Sequence, residues 1–139
     1  MIVLDTNVLS EPMRADGNPA VLTWLDQQAP ETLHLTAINL AELLIGIEFL
    51  ADGKRKSGLD TALSDLISRL FGSRVLPFDE KAARAYAPLI GRARKAGRVI
   101  SVADGQIAAI AAAHGYMVAT RDAEPFKAAG VPVINPWKA

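Results

Sequence analysis

Ile2-Val3-Leu4-Asp5-Thr6-Asn7-Val8-Leu9-Ser10 is the stretch on which the reading of the whole chain turns. Three apolar, β-prone residues stop at a carboxylate, which puts Asp5 where a buried strand gives way to a loop. In open α/β sheets the crevice outside the strand C-termini is where ligands bind. The meaning of Asp5 therefore depends on whether other acids reach the same edge.

Working outward, Glu11 to Pro19 reads as loop, broken by Gly and Pro. Asn18 before Pro19 fits an N-cap followed by proline at the first helical position, and a helix to about Gln28 follows. Leu33-His34-Leu35-Thr36 alternates like a second strand. From Ile38 to Leu50 the pattern turns helical and almost wholly apolar, which predicts a buried helix. Asp52 to Gly58 is a polar turn, so Lys54-Arg55-Lys56 is expected to be only a turn. Leu59 to Phe71 is another helix, and Val75-Leu76 is a brief third strand. Asp79 caps a helix running towards Ala96-Gly97, with Pro88 expected to kink it. An alanine-rich helix from Ala103 to His114 stops at Gly115. Met117 to Thr120 is a fourth strand, Glu124 to Ala129 a short helix, and Val131 to Ile134 a fifth strand. Strands alternating with helices predict an α/β fold: three α/β/α layers around a central, mostly parallel five-stranded sheet.

The chain's 139 residues suit one domain spanning 1–139 with a real core. With 50% hydrophobic and 22% charged residues, disorder of the body is excluded. Lys plus Arg and Asp plus Glu both number 15, so net charge makes no case for a nucleic-acid or membrane partner. The absence of cysteine rules out disulfides, thiolate catalysis and zinc–sulfur sites. No signal peptide and no apolar run near the ~20 residues of a membrane span is visible, so a cytoplasmic protein is expected.

Three later acids compete for the address of Asp5. Glu42 shares a helix face with Ile38, Ile45 and Phe49; a carboxylate there is desolvated unless paired or metal-bound. The alternative is a charge near a helix start, where the dipole favours it. Asp104 opens the alanine-rich helix, and Ser101-Val102-Ala103-Asp104 has the spacing of a capping box. Asp122 follows the fourth strand as Asp5 follows the first, or else caps the short helix ahead of Phe126. Each acid has a structural alternative, yet all four fall on the edge shared by strand C-termini and the N-termini of the following helices. Four carboxylates together repel one another and cannot all ionise without a cation. Oxygen-only donors select hard ions, Mg²⁺ or Mn²⁺, and one or two such ions can drive in-line displacement at phosphorus.

Asp5-Thr6-Asn7 after a three-residue strand, Glu42 in Asn39-Leu40-Ala41-Glu42-Leu43, Asp104 in Asp104-Gly105-Gln106-Ile107-Ala108-Ala109, and Thr120-Arg121-Asp122 resemble the four motifs of PIN domains. More narrowly the chain is similar to VapC-type toxins of type II toxin–antitoxin systems, in the FitB-like branch, from Met1 to Val133-Ile134-Asn135-Pro136-Trp137. One departure stands out: many members carry Thr-Arg-Asn and an Asp three residues later, whereas here Asp122 takes the Asn place and Pro125 the later one. The resemblance implies a PIN-like fold and a Mg²⁺- or Mn²⁺-dependent endoribonuclease. It assigns Asp5 and Asp104 as principal metal ligands, with Glu42 and Asp122 completing the site. One of these two would orient or deprotonate the attacking water. Thr6, Asn7 and Thr120 become secondary contacts or simple caps. It further implies an antitoxin whose C-terminal region fills an apolar groove, and a homodimer or toxin–antitoxin hetero-oligomer.

Other features have plainer readings. The basic run holding Arg92, Arg94, Lys95 and Arg98 can contact RNA phosphates or serve as a solvated helix end. His34 and His114 are poor candidates for a general base, and Trp24 and Trp137 read as packing groups. The apolar excess in Ile38–Leu50 and Leu59–Phe71 exceeds what one small core needs and suits a helical partner segment. Two rival functions remain. A phosphotransferase with Asp5 as nucleophile needs a second Asp where Asn7 stands. A non-catalytic binding module would use the acids as caps and the apolar helices for docking.

Overall fold

The computed structural model describes residues 1–139. Five strands form one sheet: β1 (Ile2–Leu4), β2 (Leu33–Thr36), β3 (Val75–Leu76), β4 (Met117–Ala119) and β5 (Val133–Ile134), in the order β3-β2-β1-β4-β5. Every pairing is parallel, with Val3 opposite His34 on one side and Val118 on the other. All five strand C-termini thus share one edge, and β1 lies in the middle of it.

Seven α-helices surround the sheet: α1 (Thr6–Ser10), α2 (Pro19–Asp26), α3 (Ala37–Glu48), α4 (Lys54–Leu70), α5 (Glu80–Lys95), α6 (Val102–His114) and α7 (Glu124–Ala128). Successive strand residues point to opposite faces, so Leu4 joins a core with Val8, Val21, Leu43, Leu63 and Phe71. Val3 instead packs with Leu89, Ile107, Ala108, Val118 and Phe126 on the other face. These are the expected three layers. The alanines of α6 bring α5 in close: a Cβ added to Gly105 would stand 2.9 Å from Ile90 Cδ1. Gly115 ends α6 in the left-handed conformation at φ 71°, as its position predicts.

Three expectations need correction. The residues after Asp5 are not loop but α1, because Asp5 caps Thr6 and because Val8 and Leu9 are fully buried. The supposed polar turn is mostly helix: α4 begins at Lys54, where Lys56 reaches Asp52 at 3.3 Å and Glu48 at 3.9 Å. The helix α3 is not buried all round, since Leu44, Ile45 and Phe49 are 46%, 47% and 81% exposed. Pro88 lies inside α5, within the helix expected to contain it.

His34 carries a consequence for stability. It is buried, its Nδ1 has no hydrogen-bond partner, and its ring lies 4.7 Å from Tyr116, which stacks on His114 at 5.2 Å. Burial chiefly holds its pKa below the ordinary 6.5; the Thr32 backbone opposes this, and the charges of Arg74, the N-terminus and His114 add to it. A proton therefore binds the unfolded chain more tightly. The contribution to stability is intact above pH 6.5 and erodes as pH falls below it. Thermal melts from pH 7.5 to about 5 should show a shallower fall in Tm for His34→Phe than for the parent; parallel curves would refute the role.

Candidate active site

The sheet topology brings the strand-end acids to one edge. Asp5 stands at the C-terminal end of β1, and its N–H donates to Ala119 O at 2.9 Å, which locks it beside β4. Asp122 follows β4, while Glu42 projects from α3 and Asp104 from the first turn of α6.

Asp5 is only 6% exposed and is held from three directions. Its Oδ1 accepts from the Thr6 N–H at 2.8 Å and from Asn39 Nδ2 at 3.2 Å, and its Oδ2 accepts from the Thr120 hydroxyl at 2.8 Å. Thr6 in turn donates its hydroxyl to Glu42 Oε1 at 2.9 Å and accepts from Asn39 Nδ2 at 3.1 Å. Thr120 also accepts the Asp122 N–H at 3.1 Å, and Asn7 Oδ1 accepts the Arg121 N–H at 3.3 Å. The secondary candidates thus buttress the acids: Thr120 fixes Asp5, Thr6 links Asp5 to Glu42, and Asn7 ties down the segment bearing Asp122.

The charges interact along a row. Burial raises the Asp5 pKa above 3.8, the Thr120, Thr6 and Asn39 hydrogen bonds oppose the rise, and the charge of Glu42 adds to it. Asp104 is likewise raised by burial and then by the charge of Asp5; a hydrogen bond with Ser101 opposes this and Asp122 adds to it. No basic side chain contributes to either shift. Glu42 with Asp5, Asp5 with Asp104, and Asp104 with Asp122 are therefore neighbouring carboxylates that repel one another.

Two predicted details fail. Glu42 is exposed, not desolvated, because its face of α3 looks into solvent; the burial falls on Asp5 instead. Nor do the carboxylates close into a cage: no three acids stand where they could share one metal ion. Thr6 holds Glu42 towards α1.

The structural alternatives are also decided. Ser101 Oγ accepts the Asp104 N–H at 3.1 Å, so half of a capping box forms, but Asp104 does not return a bond to the Ser101 backbone. Asp122 caps nothing, for α7 has Ala123 at its N-cap with no side-chain bond.

The basic run divides. Arg92 Nη1 donates to Ala129 O at 3.1 Å, fastening α5 to the turn before β5, and Arg98 pairs with Glu124 at 3.6 Å. Those two are structural, which leaves Arg94 and Lys95 exposed and without a partner.

Asn39 is the residue that sequence reasoning missed. It is fully buried, it forms a complete capping box with Thr36, and its amide reaches both Asp5 and Thr6. The Thr36-x-x-Asn39 spacing just after a buried strand was the available signal.

A groove of about 830 Å³ opens beside Glu42, walled by α3, the start of α4 and the segment after α1; Leu43, Ile47, Leu50 and Leu59 make it partly apolar, and Arg14, Asp16 and Arg55 add charge.

Comparison with known proteins gives one answer throughout. The family model for the PIN domain matches residues 2–131. The VapC ribonuclease Y4jK of Sinorhizobium fredii is 51% identical over 138 residues, covering 99% of both chains. The toxin FitB of Neisseria gonorrhoeae is 48% identical over 137 residues, again covering 99% of both. The structure of FitAB bound to the IR36 DNA fragment superposes with a TM-score of 0.94 at 47% identity, covering 99% of this chain and 96% of that one. With the full-length matches and the acid row at the strand edge, the chain belongs to the PIN-domain family, in its VapC-type, FitB-like branch.

Proposed function

We propose that this chain is a metal-dependent endoribonuclease acting as the toxin of a type II toxin–antitoxin pair, and that it works as one domain. The observation that carries the reading is the set of acids brought to one sheet edge around Asp5, which is buried and fixed by Thr6, Asn39 and Thr120. Spending stability on repelling charges suits a site that is completed by a ligand.

The donor set fits Mg²⁺ or Mn²⁺, since every donor is oxygen and the uncompensated charge is negative. Asp5 and Asp104 would be the principal ligands of one or two ions, and Glu42 and Asp122, which do not stand within reach of a shared ion as placed, would complete the shell by turning their side chains inward. A bound divalent ion supplies Lewis acidity and positive charge for attack of water on a phosphodiester. The protein's own part is positioning. Thr120 and Asn39 fix both oxygens of Asp5, and Thr6 occupies Glu42 Oε1. That leaves the second Glu42 oxygen to orient a water or take its proton; Asp122 is the other candidate for this step.

The α3–α4 groove beside Glu42, with exposed Leu44, Ile45 and Phe49 on the outer side of α3, suits apolar protein partners. We assign the groove to the antitoxin's C-terminal segment and expect assembly as a homodimer or toxin–antitoxin hetero-oligomer. The toxin name of FitB supports the pairing. No helix is long and apolar enough to cross a membrane, and a cytoplasmic site of action fits RNA as substrate.

Metal binding is the cleanest test. The folded pKa values of Asp5 and Asp104 are raised above 3.8, so their contribution to stability is fullest at low pH and is lost as pH rises through the raised values. The repulsion is at its greatest once pH has risen past the raised values and both acids are charged. Mn²⁺ at about a hundred times its Kd should then stabilise the fold by about 2.7 kcal/mol, with a smaller gain at pH 5. Calorimetry showing no Mn²⁺ binding above the non-specific level would favour the non-catalytic binding module.

A further inference from the structure

Arg121 lies in sequence between Thr120, which holds Asp5, and Asp122 at the end of the acid row. A cation there would be expected to pair with a carboxylate, yet Arg121 makes no ion pair. Its guanidinium instead lies over the Trp137 ring, 5.2 Å from the centroid. The backbone at both ends is pinned: the Arg121 N–H donates to Asn7 Oδ1 at 3.3 Å and the Trp137 N–H to Asn135 Oδ1 at 2.9 Å. The indole packs against the α1–α4 core, while Arg121 is exposed.

The arrangement has a chemical logic. Paired with Asp122, the guanidinium would neutralise part of the acid row and compete with a divalent ion. Stacked on an indole it keeps its charge, and its planar edge keeps N–H donors free for the forked geometry that phosphate oxygens match. A phosphodiester entering an all-acid crevice is repelled until some fixed cation faces it. Arg94 and Lys95 sit at the end of α5, on the other face of the sheet from Trp137. Arg121 supplies positive charge on the Trp137 side.

We propose that Arg121, held off the acids by Trp137, binds a backbone phosphate of the RNA and positions the strand across the row. This rests on the ribonuclease reading above. Arg121 is a positioning residue, and Trp137 acts only through it.

The test is fluorescence anisotropy with a labelled single-stranded RNA of mixed sequence in Mg²⁺ buffer, over a KCl series. An Asp104→Asn background prevents cleavage, and cleavage by the parent is measured separately. Arg121→Ala should weaken RNA binding on the order of tenfold and lower the slope of log affinity against log salt by about 0.7. Arg121→Lys should keep the slope, and Trp137→Leu should weaken binding about threefold with the slope unchanged. In the cleaving protein, Arg121→Ala should raise KM more than it lowers kcat. Unchanged affinity and slope in Arg121→Ala, with a parent that cleaves, overturns this inference alone. A parent that binds RNA through Arg121 without cutting it overturns only the ribonuclease reading, and one that does neither overturns both.

Discussion

Asp104→Asn should cut RNA cleavage by about a thousandfold while leaving the melting temperature unchanged or raising it. The two effects share one cause. Burial disfavours the charged Asp104, and the charges of Asp5 and Asp122 add to this, so neutralising it relieves the folded protein. The backbone bond from the Asp104 N–H to Ser101 Oγ, which caps α6, remains after the change. The same substitution removes one of two proposed principal ligands, and an amide cannot replace the charge. Opposite signs on activity and stability are the mark of a residue kept for function rather than for folding. Measuring kcat/KM with Mg²⁺ alongside a thermal melt checks both halves. Undiminished cleavage would remove Asp104 from the site, and a large drop in Tm would make it a structural cap.

Asn39→Asp should be damaging in both respects, although it alters no side-chain volume. The Asn39 amide donates to Asp5 at 3.2 Å and to Thr6 at 3.1 Å, and Asn39 is fully buried. A carboxylate there donates nothing and sets a negative charge against the buried Asp5. Leaving buried groups unpaired costs about 1–3 kcal/mol each, and more where charge is involved. A loss of about 3–5 kcal/mol, the scale of an uncompensated buried charge, is the expected result by urea denaturation. Cleavage by the fraction that stays folded should fall about 10–100-fold, as for other partners that orient ligands. Near-parental stability would mean that Asn39 does not hold Asp5 as the geometry shows.

Much of this was legible in the sequence, for identifiable reasons. Short apolar runs bounded by turn signals gave all five strands, and parallel order then placed the acids on one edge, because strand C-termini share it. The misses have physical causes as well. Of the five residues of α1 only Leu9 is a strong helix former; the helix exists because Asp5 caps it and because Val8 and Leu9 gain burial. The first turn of α4 is polar throughout, so hydrophobic periodicity could not reveal it. The apolar content of α3 says how greasy the helix is and not which side meets the core, and for that reason Glu42 was read as desolvated when it faces water. The hydrogen bonds that hold the acids lie between residues far apart in the chain, and no local pattern encodes them except the Thr36–Asn39 box.

The placement of β1 at the centre of the sheet also has a bearing on synthesis. The bond from Thr120 to Asp5 spans 115 positions, and the neighbour that completes the right-hand side of β1 is β4, made near the end of translation. A nascent chain still short of Met117 carries Asp5, Glu42 and Asp104 but lacks the scaffold that lines them up. Truncation anywhere ahead of β4 should therefore leave the acid row without its alignment, whatever else of the chain has folded.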